Sequence, residues 1–286
     1  MYLYEFYKIL KLRTIKRNLR NITYFIHYKI RSIFYSGRKY TCPICKSNFR
    51  KFLPSGDGQR KNIKCPGCSS FERHRLLWLY LQEKTDLFTE QKNEKTFPKG
   101  SLGTRLKLLD IAPSRALQNR FIKYQNIDYH SADLSSDLAR YKFDITNIPL
   151  PDESFDCILC SHVLEHIEDD VKAMKELFRV LKQDGWVIFQ VPVDNKLDAT
   201  IEEIPLNLPL TKGEKISKAD LEMQRLKLFG QKDHVRIYGK DFGNRLREAG
   251  FNVVEDDFAK GLSNDIIDTY RLNIDEILYY CTKKTL

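Results

Sequence analysis

KFDITNIPLPDESFDCILCSHVLEHIEDDVKAMKELFRVLKQDGWVIFQVP, residues 142–192, decides the fold. Within it FDCILCS is a short, nearly continuous apolar run of the kind a buried strand makes. DDVKAMKELFRVLKQ puts Val171, Met174, Leu177, Phe178 and Leu181 on one face at helical spacing, and WVIFQVP is a second apolar run. Upstream, RLKLLDI (105–111) and IDYHSADL (127–134) read as two more strands. Strands alternating with helices predict a mostly parallel sheet covered by helices on both faces.

The middle of the block raises a different possibility. His162, Glu165 and His166 spell H-x-x-E-H, the pattern of inverted zinc metallopeptidases. That chemistry needs both histidines on one helix. Here His162 falls at the carboxyl end of a strand, and Glu165 and His166 at the turn into the next helix. The acids of EDD (168–170) lie near that helix's N-terminus, where its dipole favours them. No downstream zinc ligand is evident, so the sequence argues against a zinc hydrolase.

The chain has 286 residues and a net charge of +10, with 42% hydrophobic and 30% charged residues, an ordinary globular balance. The charge is local. Residues 1–40 hold ten Lys/Arg against Glu5, or +9, which leaves +1 for residues 41–286. A neutral body argues against extensive phosphate contact, so nucleic acid is not an expected partner. The arm, residues 1–40, mixes those cations with ten aromatic residues, and its longest uncharged run, NITYFIHY, has eight residues. That is too short to span a bilayer. It suits an amphipathic helix on an anionic membrane surface, or equally one packed on the protein's own body or on a second subunit. The expected location is cytoplasmic, with peripheral attachment at the inner face of the membrane as the first of these implies.

Seven cysteines occur without a secretory signal. Cys42-Pro-Ile-Cys45 and Cys65-Pro-Gly-Cys68 are 19 residues apart, the spacing of two knuckles that close a tetrahedral structural zinc site. This ribbon and its following helix occupy residues 41–83. Residues 84–104 read as a linker, and 105–286 as the main domain with a lid-like insertion at about 195–233. Cys157 and Cys160 are also a C-x2-C pair, but residues three apart on a strand face opposite ways and cannot chelate together.

The strand ending at Asp110, the strand ending at Asp133 and the 142–192 block together closely resemble the S-adenosylmethionine-dependent methyltransferases of the Rossmann-like type, the methyltransferase type 11 group. The resemblance is strong over 105–193. GQKDHVRIYGKDFGNRLREAGFNVV (230–254) and the CPIC…CPGC ribbon resemble features of a subgroup. The resemblance implies an α/β, Rossmann-like, doubly wound sheet of seven strands, mostly parallel with an antiparallel last strand, beside the small zinc ribbon. It implies S-adenosylmethionine as cofactor. Asp133 would accept hydrogen bonds from the ribose hydroxyls, with Leu134 beside it. Asp144 and the Ile145 amide would take the adenine. Asp110, Ala112 and Ser114 would border the methionine part, and Ser161 and His162 would lie under the sulfonium. His234, with His162, is the candidate base, and Arg236 and Tyr238 are candidate substrate contacts.

There are two departures from the family pattern. The glycines of its first turn are replaced by Ala112, Ser114 and Ala116, where a positive φ becomes costly. Only about ten residues separate Asp133 from Asp144, which predicts a stunted crossover. The expected activity is methyl transfer, as O-methylation, to a small-molecule or glycan acceptor, a lipid-linked one included. Alternatives are an RNA or protein methyltransferase that reads its substrate with the ribbon, and a non-catalytic binding protein on a degenerate methyltransferase fold.

Overall fold

The computed structural model describes residues 23–24, 26–55, 60–88, 105–202, 218–229 and 231–283. Most of the basic arm, most of the expected linker and the middle of the expected lid therefore lie outside the described residues.

The chain enters through helix α1 (residues 26–34) and two small hairpins, β1 (Ser36–Cys42) with β2 (Ser47–Phe49) and β3 (Leu53–Ser55) with β4 (Arg60–Lys64). Helix α2 (Glu72–Lys84) follows. The main sheet is then laid down by β5 (Leu106–Ile111), α3 (Arg115–Phe121), β6 (Ile127–Asp133), β7 (Tyr141–Lys142), β8 (Phe155–Ser161), α4 (Asp170–Val180) and β9 (Leu181–Gln190). Helices α5 (Lys218–Phe229) and α6 (Phe242–Glu248), strand β10 (Asn252–Asp256), helix α7 (Asn264–Tyr270) and strand β11 (Leu278–Thr282) complete it.

The seven strands run in the order β10-β11-β9-β8-β5-β6-β7. Neighbours from β9 to β7 are parallel, and β11 is antiparallel to both β9 and β10. This is the Rossmann-like sheet that the sequence implied, antiparallel last strand included. Its two faces separate residue by residue. Leu108, Cys157, Leu159, Trp186 and Ile188 face one core, and Leu109, Ile158, Cys160, Val187 and Phe189 face the other. Cys157 and Cys160 thus point to opposite sides and are both buried, as the period of two requires.

Two boundaries differ from the sequence reading. Helix α4 stops at Val180, and β9 begins at Leu181, five residues before Trp186. Leu181 pairs with Phe155 across a bulge, and a Cβ on Gly185 would come within 2.8 Å of the Asp156 carbonyl, so a small residue there lets the strand start early. Between β6 and β7 the chain makes only turns, and β7 has two residues. The short spacing from Asp133 to Asp144 leaves no room for a helix.

The ribbon shares its core with the sheet. Cys42, Ile44, Phe49, Phe52 and Cys65 join Leu76, Leu77, Trp78 and Leu81 of α2, and these pack on the first face of the sheet. One buried cation secures the junction. Arg75 has no exposure, and its guanidinium donates to the carbonyls of Ile63 (3.1 Å) and Ser70 (2.8 Å) in the ribbon, and of Tyr270 (2.6 Å) and Arg271 (2.7 Å) at the end of α7. Its charge also lies 4.7 Å from the centre of the Phe52 ring. Replacing it with Met keeps the volume but strands buried acceptors, which cost roughly 1–3 kcal/mol each. Arg75→Met is therefore expected to lower unfolding stability by on the order of 3 kcal/mol in denaturant titration. An unchanged midpoint would show that the two parts hold together without it.

Candidate active site

Strand order reverses at β5, which has β6 on one side and β8 on the other. In open α/β sheets, ligand crevices form outside the carboxyl strand ends at such a point. A cleft of about 720 Å³ opens there. It is lined by Ile111 and Ala112 after β5, Asp133 and Leu134 after β6, Phe143, Asp144 and Ile145 after β7, and His162, Val163 and His166 after β8. The structure thus brings Ala112, Asp133, Leu134, Asp144, Ile145 and His162 together, as the sequence expected.

Local backbone chemistry fixes the acids. Asp133 Oδ1 accepts from the amides of Ser135 (2.8 Å) and Ser136 (2.7 Å), and Asp144 Oδ1 accepts from the Thr146 amide (2.8 Å). Ala112 adopts φ 51°, a left-handed conformation that favours glycine, so the turn is made at a cost of roughly 1–2 kcal/mol. Ser114 and Ala116 need no such freedom. Ser114 is the extended N-cap of α3, its hydroxyl accepting from the Leu117 amide, and Ala116 is helical. Carboxylates at neighbouring strand ends, an apolar wall and a glycine-like turn make a donor and acceptor set that fits S-adenosylmethionine.

Three expected cofactor residues do not line the cleft. Ser114 is the cap just described. Ser161 Oγ donates to Gln190 Oε1 at 2.9 Å. Asp110 is buried and accepts from the Tyr129 hydroxyl at 2.8 Å.

A second cavity of about 370 Å³ lies on the other side of His162. Its lining comes from four distant places: Arg60, Glu72 and Arg73 near the ribbon, Val191–Val193 after β9, Phe229, Gln231 and His234, and Asn273, Asp275 and Glu276 before β11. His162 belongs to both linings. It sits at φ 55°, its amide donating to the Gln190 carbonyl (2.8 Å). Its ring lies between two carboxylates, Nδ1 at 3.2 Å from Glu165 Oε1 and Nε2 at 3.2 Å from Glu276 Oε1. Burial opposes its charge, but bonding to Glu165 and Glu276 outweighs that and holds its pKa above the ordinary value. Gln190, itself fully buried, donates toward Glu276 (3.4 Å) and the Arg73 carbonyl (3.4 Å). Arg73, Gln190 and Glu276 were missed in the sequence. The run ERHR inside an otherwise apolar helix was a signal for Arg73, whereas Glu276, in a polar stretch, gave none.

Arg236 and Tyr238, expected as substrate contacts, line neither cavity. Arg236 is buried and donates to the carbonyls of Leu164 (2.9 Å), Ile167 and Glu168 (2.9 Å). The Tyr238 hydroxyl donates to Asp170 Oδ2 at 2.7 Å, where Arg245 also binds. Both residues clamp the turn after β8. His234 does line the second cavity, and burial, its largest influence, lowers its pKa.

The four ribbon sulfurs lie within 4.8 Å of one another, with Cys42–Cys68 at 3.6 Å and Cys45–Cys65 at 3.7 Å. A tetrahedral ion with Zn–S bonds of ~2.3 Å sets sulfurs about 3.8 Å apart, so the cysteines fit zinc. Each knuckle turns through a left-handed residue after its second cysteine, Lys46 (φ 58°) and Ser69 (φ 62°).

The central block also agrees with known proteins. Residues 109–189 match the methyltransferase domain family of type 11. The chain is 39% identical over 61 residues to the uncharacterized methyltransferase YcgJ of Bacillus subtilis, covering 20% of this chain and 24% of that protein. It is 34% identical over 74 residues to the ubiquinone/menaquinone biosynthesis C-methyltransferase UbiE of Cronobacter sakazakii, covering 25% and 30%. The chain thus spans about a quarter to a third of the length of these curated relatives. The crystal structure of YcgJ superposes with a TM-score of 0.40 at 16% identity, over 66% of this chain and 96% of that one.

Beside this cleft, burial pushes the Asp110 carboxyl up from 3.8 to about 7. Between these values the folded chain holds a proton that the unfolded chain has lost, so stability should fall as pH rises from about 4 to about 7. Thermal melts of the ligand-free protein across this range should show that decline, and Asp110→Asn should flatten it. An equal slope in the variant would contradict the burial argument.

Proposed function

We propose that the chain is an S-adenosylmethionine-dependent methyltransferase acting on a hydroxyl of a polar small molecule or glycan. The carrying observation is that His162 forms a wall common to a cleft suited to the cofactor and a second, mostly polar cavity suited to an acceptor. The cofactor supplies a methyl group already activated by positive sulfur. The protein's main task is then alignment of two reactants.

On the cofactor side, Asp133 is set to accept from the ribose hydroxyls, and Asp144 with the Ile145 amide to take the adenine edge. Ile111, Phe143 and Val163 supply apolar cover. On the acceptor side, Arg73, Asn273, Gln231 and Glu276 offer donors and acceptors at several angles, as a polyhydroxylated molecule needs. This reading also gives the ribbon a reason to be attached where it is. Zinc in the four-cysteine site would hold Arg60, Glu72 and Arg73 in place as one side of the acceptor cavity. The positive φ of Ala112 favours a working cofactor site over a degenerate one, since strain without a ligand to serve would be readily lost.

Isothermal titration with S-adenosylmethionine tests the proposal. Wild type is expected to bind, and Asp133→Ala to bind on the order of 10- to 100-fold more weakly, because hydrogen bonds to a charged group are worth about 1.5–3 kcal/mol. No binding by wild type at millimolar cofactor would remove the enzyme reading. Equal affinity in the variant would remove the ribose assignment.

A further inference from the structure

We propose that Glu165, His166 and His234 bind a divalent first-row transition-metal ion in the wall between the two cavities, and that this ion takes the acceptor oxygen during methyl transfer. The metal site stands on its own geometry, and its catalytic part rests on the methyltransferase reading above.

Each of the three residues offers one ligand atom, and these atoms lie within 4.8 Å of one another. Two imidazoles and a carboxylate form a mixed nitrogen and oxygen donor set, which suits zinc, iron and their neighbours better than magnesium or calcium. Glu165 supplies an independent reason. It is fully buried, and its Oε2 has no hydrogen-bond partner. The His162 ring pairs with Oε1 at 3.2 Å. A buried carboxylate oxygen left unpaired is costly, and a bound cation removes that cost.

The surroundings also preorganise the set. His166 Nδ1 is 3.2 Å from the Asp233 carbonyl and 3.3 Å from its carboxylate. A proton held there leaves the lone pair on Nε2, and an outer acceptor of this sort is what usually orients a metal-ligating histidine. The rings of His166 and His234 stand 4.8 Å apart at 78°. The two segments that carry the ligands are fastened together, since the Val235 amide donates to the Glu165 carbonyl (2.9 Å) and Arg236 grips Leu164, Ile167 and Glu168. Arg236, which lines neither cavity, has a role here, holding His234 against Glu165 and His166.

The position suits the chemistry. His166 lines the cofactor cleft and His234 lines the acceptor cavity. Three protein ligands leave open positions, unlike the closed four-cysteine site. An acceptor hydroxyl on the ion would release its proton to solvent more readily. The oxygen lone pair then forms the O–CH3 bond as the C–S bond breaks. Its electron pair stays on sulfur, giving neutral S-adenosylhomocysteine and the methyl ether.

The test is metal analysis of the full chain, purified and re-equilibrated with Zn2+, with Mn2+ as a second probe, in the absence of cofactor and acceptor. Wild type is expected to hold one metal equivalent in the ribbon and a second that His166→Ala, His234→Ala and Glu165→Gln each remove. The first should stay in every variant. His166 is partly exposed, so its variant should fold, and thermal melts check all three. A single equivalent in wild type, or a second one retained in folded His166→Ala and Glu165→Gln, would overturn the site. Loss of the second equivalent together with absent S-adenosylmethionine binding in wild type would uphold the metal site and overturn its catalytic part.

Discussion

The Arg75 guanidinium, sealed from water and shared among four backbone carbonyls, is the constraint on which the second cavity depends. Two of its acceptors belong to the ribbon and two to the end of α7, segments nearly 200 residues apart in sequence. The cavity beyond His162 draws Arg60, Glu72 and Arg73 from beside the first and Asn273, Asp275 and Glu276 from just beyond the second. One desolvated cation therefore sets the distance between opposite walls. The Ser70 carbonyl keeps a second donor in the Cys65 amide, but the others depend on Arg75, and the ribbon acts as part of the main domain's core.

A second constraint lies in the backbone at the strand ends. Ala112 after β5 and His162 after β8 both take left-handed conformations that non-glycine residues adopt rarely. They stand at adjacent strands and line the same cleft. At Ala112 the strain keeps a turn open toward the cleft. At His162 it swings the ring into the wall between the cavities, where Glu165 and Glu276 hold it from both sides. Five other described non-glycine residues take such conformations elsewhere, and what sets this pair apart is that both face one cleft at the ends of adjacent strands.

The sheet and the cofactor side were legible in the sequence because each depends on local pattern. Short apolar runs placed FDCILCS and RLKLLDI as strands, and the family resemblance placed Asp133 and Asp144 beside the cleft. The second cavity was not legible, since four segments meet there only after folding. Arg236 and Tyr238 show the typical error. A polar, aromatic segment suggests substrate contact in sequence, but burial and the carbonyls of 164–168 make it a clamp. H-x-x-E-H was misleading in a subtler way. Strand geometry rightly separated His162 from a helical metal motif, yet Glu165 and His166 meet a histidine 68 positions downstream, a distance that no spacing rule reports.

The most direct measurement is a crystal structure of the full chain with S-adenosylhomocysteine. The ribose should contact Asp133, the adenine should lie by Asp144 and Ile145, and the sulfur should face the His162 wall toward the acceptor cavity. A ligand bound outside this cleft, or bound within it with its sulfur turned away from His162, would contradict the two-cavity arrangement.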